Sequence, residues 1–357
     1  MMKFRHVLLA GAASAALIGS AAAETLPMVP QTGVVALSDF FYMSIGGTAQ
    51  VIELPKFNYG RNVNIPTAII TDAYAEHNRI ITGGPAITIG YNLPWNIGTR
   101  PRVEFAAMAN FGHMRDQTTA SFPLATTGTF LTQIDDGAII VGTPVSSQRI
   151  DLSATYENAD GVVRFKTDIP IGATFVLSPS IGPIFGYTQT RYDMTSRSNV
   201  LGVVDYTSNL KEVLTQWRGG GEVGLDATLS LGQNFKLHGG MTGAGFFQHA
   251  RVKARDCVQA APTDVPACSL PTPGPSVLVT NASRSDDNFG VRAGASLGAT
   301  VSTGWMNITF MGTGAYNINV PSIENPRYPE QPQKGVKIGW EDRFTYGGYI
   351  MATFPLN

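Results

Sequence analysis

Hydrophobic and polar residues alternate one for one along residues 213–253. In the first half, odd positions hold Val213, Trp217, Val223, Leu225 and Leu229, and even positions hold Gln216, Arg218, Glu222, Asp226 and Thr228. Successive side chains of a strand point to opposite faces, so this is a ribbon with one apolar and one charged face. Residues 230–234 predict a tight turn. Phe235, Leu237, Met241 and Phe247 then continue the apolar face, and Lys236, His238, Thr242 and Gln248 the polar one. Each arm is longer than the usual strand of about five or six residues.

The same unit recurs three times. Ile87, Ile89 and Tyr91 lead through a turn at residues 94–101 into Val103, Phe105, Ala107, Ala109 and Phe111, set against Glu104 and Asn110. Val163, Phe165 and Ile169 alternate with Arg164, Lys166 and Asp168, turn at residues 170–173, and return through Leu177, Ile181, Phe185 and Tyr187. Phe289, Val291, Ala293, Ala295, Leu297, Ala299 and Val301 turn at residues 302–304 into Met306, Ile308, Phe310, Tyr316, Ile318 and Val320. A first strand in residues 39–54 and a last one in residues 336–354 bring the count to ten. The last carries Val336, Ile338, Trp340, Phe344, Tyr346 and Ile350 on one face and Lys337, Glu341 and Arg343 on the other.

Long alternating strands joined by short turns predict an all-β fold, a closed antiparallel transmembrane β-barrel of ten strands. An even count leaves both termini on one side and lets the first and last strands pair. Closure is required, because in lipid each unpaired backbone group costs several kcal/mol. Residues 55–79, 116–148, 196–211, 256–286 and 321–335 then form five long loops, all opposite the short turns. One region resists. Ile150, Leu152, Ala154 and Tyr156 are apolar at even positions, whereas Val163 onward is apolar at odd ones, so residues 158–161 predict a bulge or a turn. As a turn, they would let residues 138–142 pair with 149–156 and raise the count to twelve. Ten is adopted, because residues 138–142 are short and do not alternate.

Residues 1–23 predict a cleaved signal peptide, with Lys3 and Arg5 as the basic region, an apolar stretch from Val7 to Ile18, and Ala21, Ala22 and Ala23 before the cleavage point. Residues 24–38 then form a periplasmic N-terminal segment and residues 39–357 the barrel. The apolar stretch is too short for a spanning helix, which needs roughly 18 or more residues. Charged residues make up 14% of the chain, against about 25% for soluble domains. Losing Lys3 and Arg5 takes the formal charge from −1 to −3. That near-neutral balance gives no footing for a nucleic-acid partner. Cys257 and Cys268 form a close pair in an exported chain and are expected to be bonded as a loop staple.

Across nearly all of its mature length the chain resembles the bacterial outer-membrane β-barrel class. That resemblance implies an outer-membrane location, short periplasmic turns, long extracellular loops, and lipids and the barrel-assembly machinery as partners. Barrels of this class commonly end on an aromatic residue. Here Phe354 is followed by Pro355, Leu356 and Asn357, a departure from that pattern.

Chemistry is expected on the polar face. By parity, Glu104, Arg164, Lys166, Asp168, Arg218, Glu222, Asp226, Lys236, Arg292, Lys337, Glu341 and Arg343 point into the lumen, seven basic and five acidic. Mixed signs suit pairing across a lumen little wider than its side chains, which makes a structural or surface-contact barrel. The alternative is a narrow passive pore for small solutes or ions, constricted by Arg164, Arg218, Arg292 and Arg343. A third reading is a protease or lipase at the outer rim. His77, His113 and His249 with Asp116, Asp286 and Asp287 lie at similar heights, yet the omptin-type protease pattern is not recognisable and no Ser is singled out. No catalysis, cofactor or metal is expected. Gly219, Gly220 and Gly221 lack the Lys-Ser/Thr of a phosphate loop. Trp217, Trp305, Trp340, Tyr91, Tyr187, Tyr316 and Tyr346 are candidates for interfacial girdles.

Overall fold

In a computed structural model of the chain the alternation resolves into strands alone. The structure describes residues 41–54, 58–64, 69–74, 78–94, 99–121, 127–131, 145–200, 204–232, 234–260, 277–303, 305–324 and 336–356. The signal peptide, the N-terminal segment, residues 138–142, His77 and Cys268 lie outside them. The strands are β1 (Phe41–Glu53), β2 (Asn58–Asn64), β3 (Ile69–Tyr74), β4 (Arg79–Asn92), β5 (Arg100–Ser121), β6 (Thr127–Leu131) and β7 (Val145–Ile171). Then follow β8 (Phe175–Val200), β9 (Val204–Ser230), β10 (Phe235–Ala260), β11 (Val277–Ser302), β12 (Asn307–Glu324) and β13 (Lys337–Leu356).

Ten of these strands form a closed antiparallel ring in the order β1-β13-β12-β11-β10-β9-β8-β7-β5-β4. The ring closes where β1 pairs with β13, from Phe41 opposite Leu356 to Ile52 opposite Thr345. Strands β2, β3 and β6 make a separate three-stranded sheet on the long-loop side. The short turns sit at the other end, where Gly172 (φ 73°) and Gly232 (φ 91°) occupy left-handed backbone that a Cβ disfavours.

Strand length is the first correction. β7 and β9 run 27 residues and β8, β10 and β11 run 26. Residues 196–211, expected as a loop, are mostly strand: β8 reaches Val200 and β9 begins at Val204, with those two residues paired. A strand of 26 residues at about 3.3 Å per residue and a tilt of about 40° rises roughly 65 Å. The apolar band of such a barrel is only about 25 Å tall. More than half of each long strand therefore stands above the membrane.

The second correction concerns residues 158–161. Neither bulge nor turn occurs there, and β7 runs through them in unbroken register with β5. What changes is the solvent outside. Alongside the membrane, Phe165 and Ile169 are exposed on the outer wall while Arg164, Lys166 and Asp168 are buried within. Higher up, Ile150, Leu152, Ala154 and Tyr156 are buried within, while Arg149 and Asp151 form an exposed pair. The strand keeps its parity, and apolar residues face lipid in one half and the protein interior in the other.

Strands β7 to β10 show this inversion at one height, marked by outward aromatic residues. Tyr187 and Trp217 lie 4.5 Å apart between ring centroids and Phe247 and Phe289 lie 5.4 Å apart, with Phe344 and Tyr346 stacked further round. Near the short turns, Phe41 packs on Tyr91 and Trp305 on Phe354. Two aromatic girdles with exposed Phe105, Leu225, Leu297 and Phe310 between them bound the lipid-facing belt. The chain is an integral outer-membrane β-barrel.

Candidate functional site

Inside the belt the even-numbered side chains of β5 to β11 meet those of their neighbours across strands about 4.8 Å apart. Charges on adjacent strands are thus forced together. Arg102 on β5 donates from Nε to Glu104 Oε1 at 2.7 Å and also pairs with Asp168 on β7. Tyr42 donates to Glu104 at 2.8 Å, and Ser178 donates to Asp168 at 2.6 Å. Lys166 pairs with Asp226 on β9 at 2.6 Å. Neutral hydrogen bonds line the same end of the lumen: His238 Nε2 lies 2.8 Å from Thr300 Oγ1, Thr300 bonds Thr309, and Ser44 bonds Thr353.

One level higher, Glu222 binds two arginines. Arg164 donates to its Oε1 at 2.7 and 2.9 Å, and Arg292 donates to its Oε2 at 3.0 Å. Gly182, opposite Glu222 on β8, keeps this layer tight, since a Cβ there would meet the Val163 carbonyl and the Arg164 backbone. Arg218 pairs with Asp160, which also accepts from Asn158 at 3.0 Å. Glu104, Arg164, Lys166, Asp168, Glu222 and Lys236 are buried, and the side chains of Arg218, Asp226 and Arg292 are 13–15% exposed.

The other parity-selected residues lie elsewhere. Arg343 sits above this layer and donates to the Pro321 carbonyl at 2.9 Å. Lys337, at the extracellular start of β13, stands opposite Glu324 in the register. Glu341 is exposed. Cys257 is 2% exposed and is not a free thiol; its expected partner, Cys268, lies outside the described residues. Sequence reasoning missed Arg102 and Asp160. Both obey the parity of their strands, but residue 102 adjoins an expected turn and residue 160 falls within the expected bulge or turn.

Above the charged layers the lumen is filled mainly by apolar side chains, with Glu212 buried between Leu210 and Leu214 on β9. Ile52, Ile80, Leu152, Tyr192, Met194, Leu210, Leu214, Val252 and Val336 form one buried cluster. It draws on β1, β4, β7, β8, β9, β10 and the approach to β13. An ion-paired floor and an apolar roof thus occupy successive levels of one lumen. At the rim, His249 Nδ1 lies 2.7 Å from Asp287, but both are largely exposed on the outer wall beside Phe247 and Phe289. His113 accepts a hydrogen bond from Arg115, also exposed. Asp286 accepts from Trp340 at 3.2 Å. Asp116 is buried. Among the described residues no group of three or more His, Cys, Asp or Glu is arranged to hold a metal.

No protein-family model matches the chain, and no curated protein matches it. Solved structures similar to it include the outer membrane protease OmpT from Escherichia coli, at 10% identity and a TM-score of 0.39, covering 90% of this chain and 99% of that one. A Pseudomonas aeruginosa FadL homologue matches at 8% identity and a TM-score of 0.26, covering 89% and 91%. The translocator domain of the autotransporter NalP from Neisseria meningitidis matches at 12% identity and a TM-score of 0.21, covering 99% and 94%. The expectation that the chain is not an enzyme does not stand, because a protease is among the structures it resembles. At those values the likeness assigns neither an activity nor a residue role.

Proposed function

We propose that the protein is a closed structural barrel whose long strands carry a charged outer wall and loops beyond the membrane as a contact surface. The observation that carries this reading is the shared carboxylate of Glu222, buried between Arg164 and Arg292 from opposite sides of the layer. Charges lining an open path stay hydrated and face the permeating solute. Here Arg164, Arg218 and Arg292 are paired with Glu222 and Asp160, as desolvated ions must be if they are to be tolerated. The outward residues above the aromatic girdle are ion-paired on the outer wall, Arg149 with Asp151, Arg191 with Glu157 and Lys211 with Asp193. That pattern suits a wall facing water.

Purified full-length protein inserted into planar bilayers tests the proposal. At high protein load the closed barrel gives no discrete current steps. Reproducible steps from the unaltered chain would establish the narrow pore instead.

A further inference from the structure

Between roof and floor lies a cavity of about 110 Å³, next to a smaller one of about 60 Å³ that shares Thr48, Asp160, Arg218 and Arg292 with it. Charge is divided unevenly between the two levels. In the floor, Arg102, Lys166 and Lys236 balance Glu104, Asp168 and Asp226. Around the cavities, Arg164, Arg218, Arg292 and Arg343 stand against only Asp160 and Glu222. Asp160 is engaged by Arg218, and Glu222 by Arg164 and Arg292. Two positive charges are left over.

Two arginines present that excess to the cavity. Arg343 reaches no carboxylate among the described residues, and its Nε has no acceptor. Arg292 binds Glu222 through Nη2, and its own Nε also has no acceptor. The register sets Arg292 opposite Asn317 and Asn317 opposite Arg343, one row across three strands. Their Cα atoms are therefore roughly 10 Å apart. Immediately above this row β12 bulges between Asn317 and Val320, with Asn319 at φ 60°. The bulge is anchored by Gln248, whose amide donates to the Asn319 carbonyl across Gly290, where a Cβ would crowd Phe246 and Gln248. A bulge re-aims neighbouring side chains and is common beside binding sites.

We propose that Arg292 and Arg343 bind a small oxyanion, of the carboxylate or phosphate type, in this cavity. Guanidinium groups present planar N–H donors that match paired oxygen acceptors. A buried cation without a partner is costly, and an anion between the two relieves that cost. The volume limits the ligand to a few heavy atoms, well below the roughly 300–1,000 Å³ sites of drug-sized molecules.

The test uses the full-length chain refolded in zwitterionic detergent, with acetate and inorganic phosphate titrated at constant ionic strength. At least one of them gives a saturable rise in melting temperature. Arg343→Gln weakens that response about tenfold or more, the equivalent of one charge-assisted hydrogen bond, while Arg191→Gln on the outer wall leaves it unchanged. No saturable rise with either anion, or an Arg343→Gln response equal to that of the unaltered chain, overturns the proposal. Should Arg343→Gln fail to fold, crystals of the unaltered chain grown with selenate decide it. An anomalous peak between Arg292 and Arg343 is expected, and its absence overturns the site.

Discussion

Glu222 is 3% exposed and neutralises parts of two guanidinium groups. Removing one member of a buried ion network leaves its partners charged and dry, which typically costs about 3–5 kcal/mol. Glu222→Gln is expected to destabilise the barrel by that order, measured as urea unfolding from lipid vesicles. Asp151→Asn removes a carboxylate of the same charge from a pair whose side chains are 55% and 41% exposed. Water screens that pair, and the loss is expected to stay within about 1 kcal/mol. Equal losses from the two variants would mean that the floor is hydrated and that Glu222 lines a path. The same contrast explains how far the site was legible. Glu222, Arg164 and Arg292 followed from parity alone, because each sits within a cleanly alternating run. That Arg343 would stand without an ion pair could not follow, since it depends on the β12 bulge and on the exposure of Glu341.

At the scale of the strand, β10 holds both halves of the inversion. Outward Met241 is 42% exposed in the lipid belt, and outward Lys253 is exposed above the girdle. Inward Val252 is fully buried in the apolar cluster. Arg at Met241 is expected to cost about 2–4 kcal/mol, whereas Lys253→Ala should change stability by no more than about 0.5 kcal/mol. Vesicle unfolding of both variants checks the height of the boundary, and a large loss at Lys253 would move it upward. Alternation made the strands and their ring order legible, because period 2 is visible wherever the two faces meet different surroundings. It misled at residues 158–161 for the same reason. A change of solvent along one strand swaps the polar face without any change of register, and the sequence pattern alone reads that swap as a broken strand. Residues 196–211 were taken as loop because, beyond the membrane, a strand needs no apolar outer face. The expected bond between Cys257 and Cys268 belongs at this scale too. A thiol probe on intact cells is expected to label the chain only after reduction, and labelling without reductant would refute the bond.

For the whole molecule, floor and roof act as two barriers in series, and each has its own physics. The floor excludes ions because its charges are already matched; the mainly apolar roof excludes them because it offers a desolvated ion little compensation. Opening one barrier leaves the other in place. An Arg164→Ser, Glu222→Ser pair of changes removes opposite charges together and leaves Arg292 without its carboxylate. That variant is expected to remain silent in planar bilayers, because Leu152, Leu210 and Val252 still close the lumen above it. Leu152→Ser with Leu210→Ser should also be silent, held by the Arg164–Glu222 layer below. Only the combination of all four changes is expected to conduct, with folding of each variant verified by its resistance to detergent unfolding on electrophoresis. Conductance from the floor variant alone would show that the apolar cluster does not seal the upper barrel. Conductance from the roof variant alone would show that ions already pass the charged layer. In that second case the lumen of the unaltered protein is a gated path whose closure lies above the membrane.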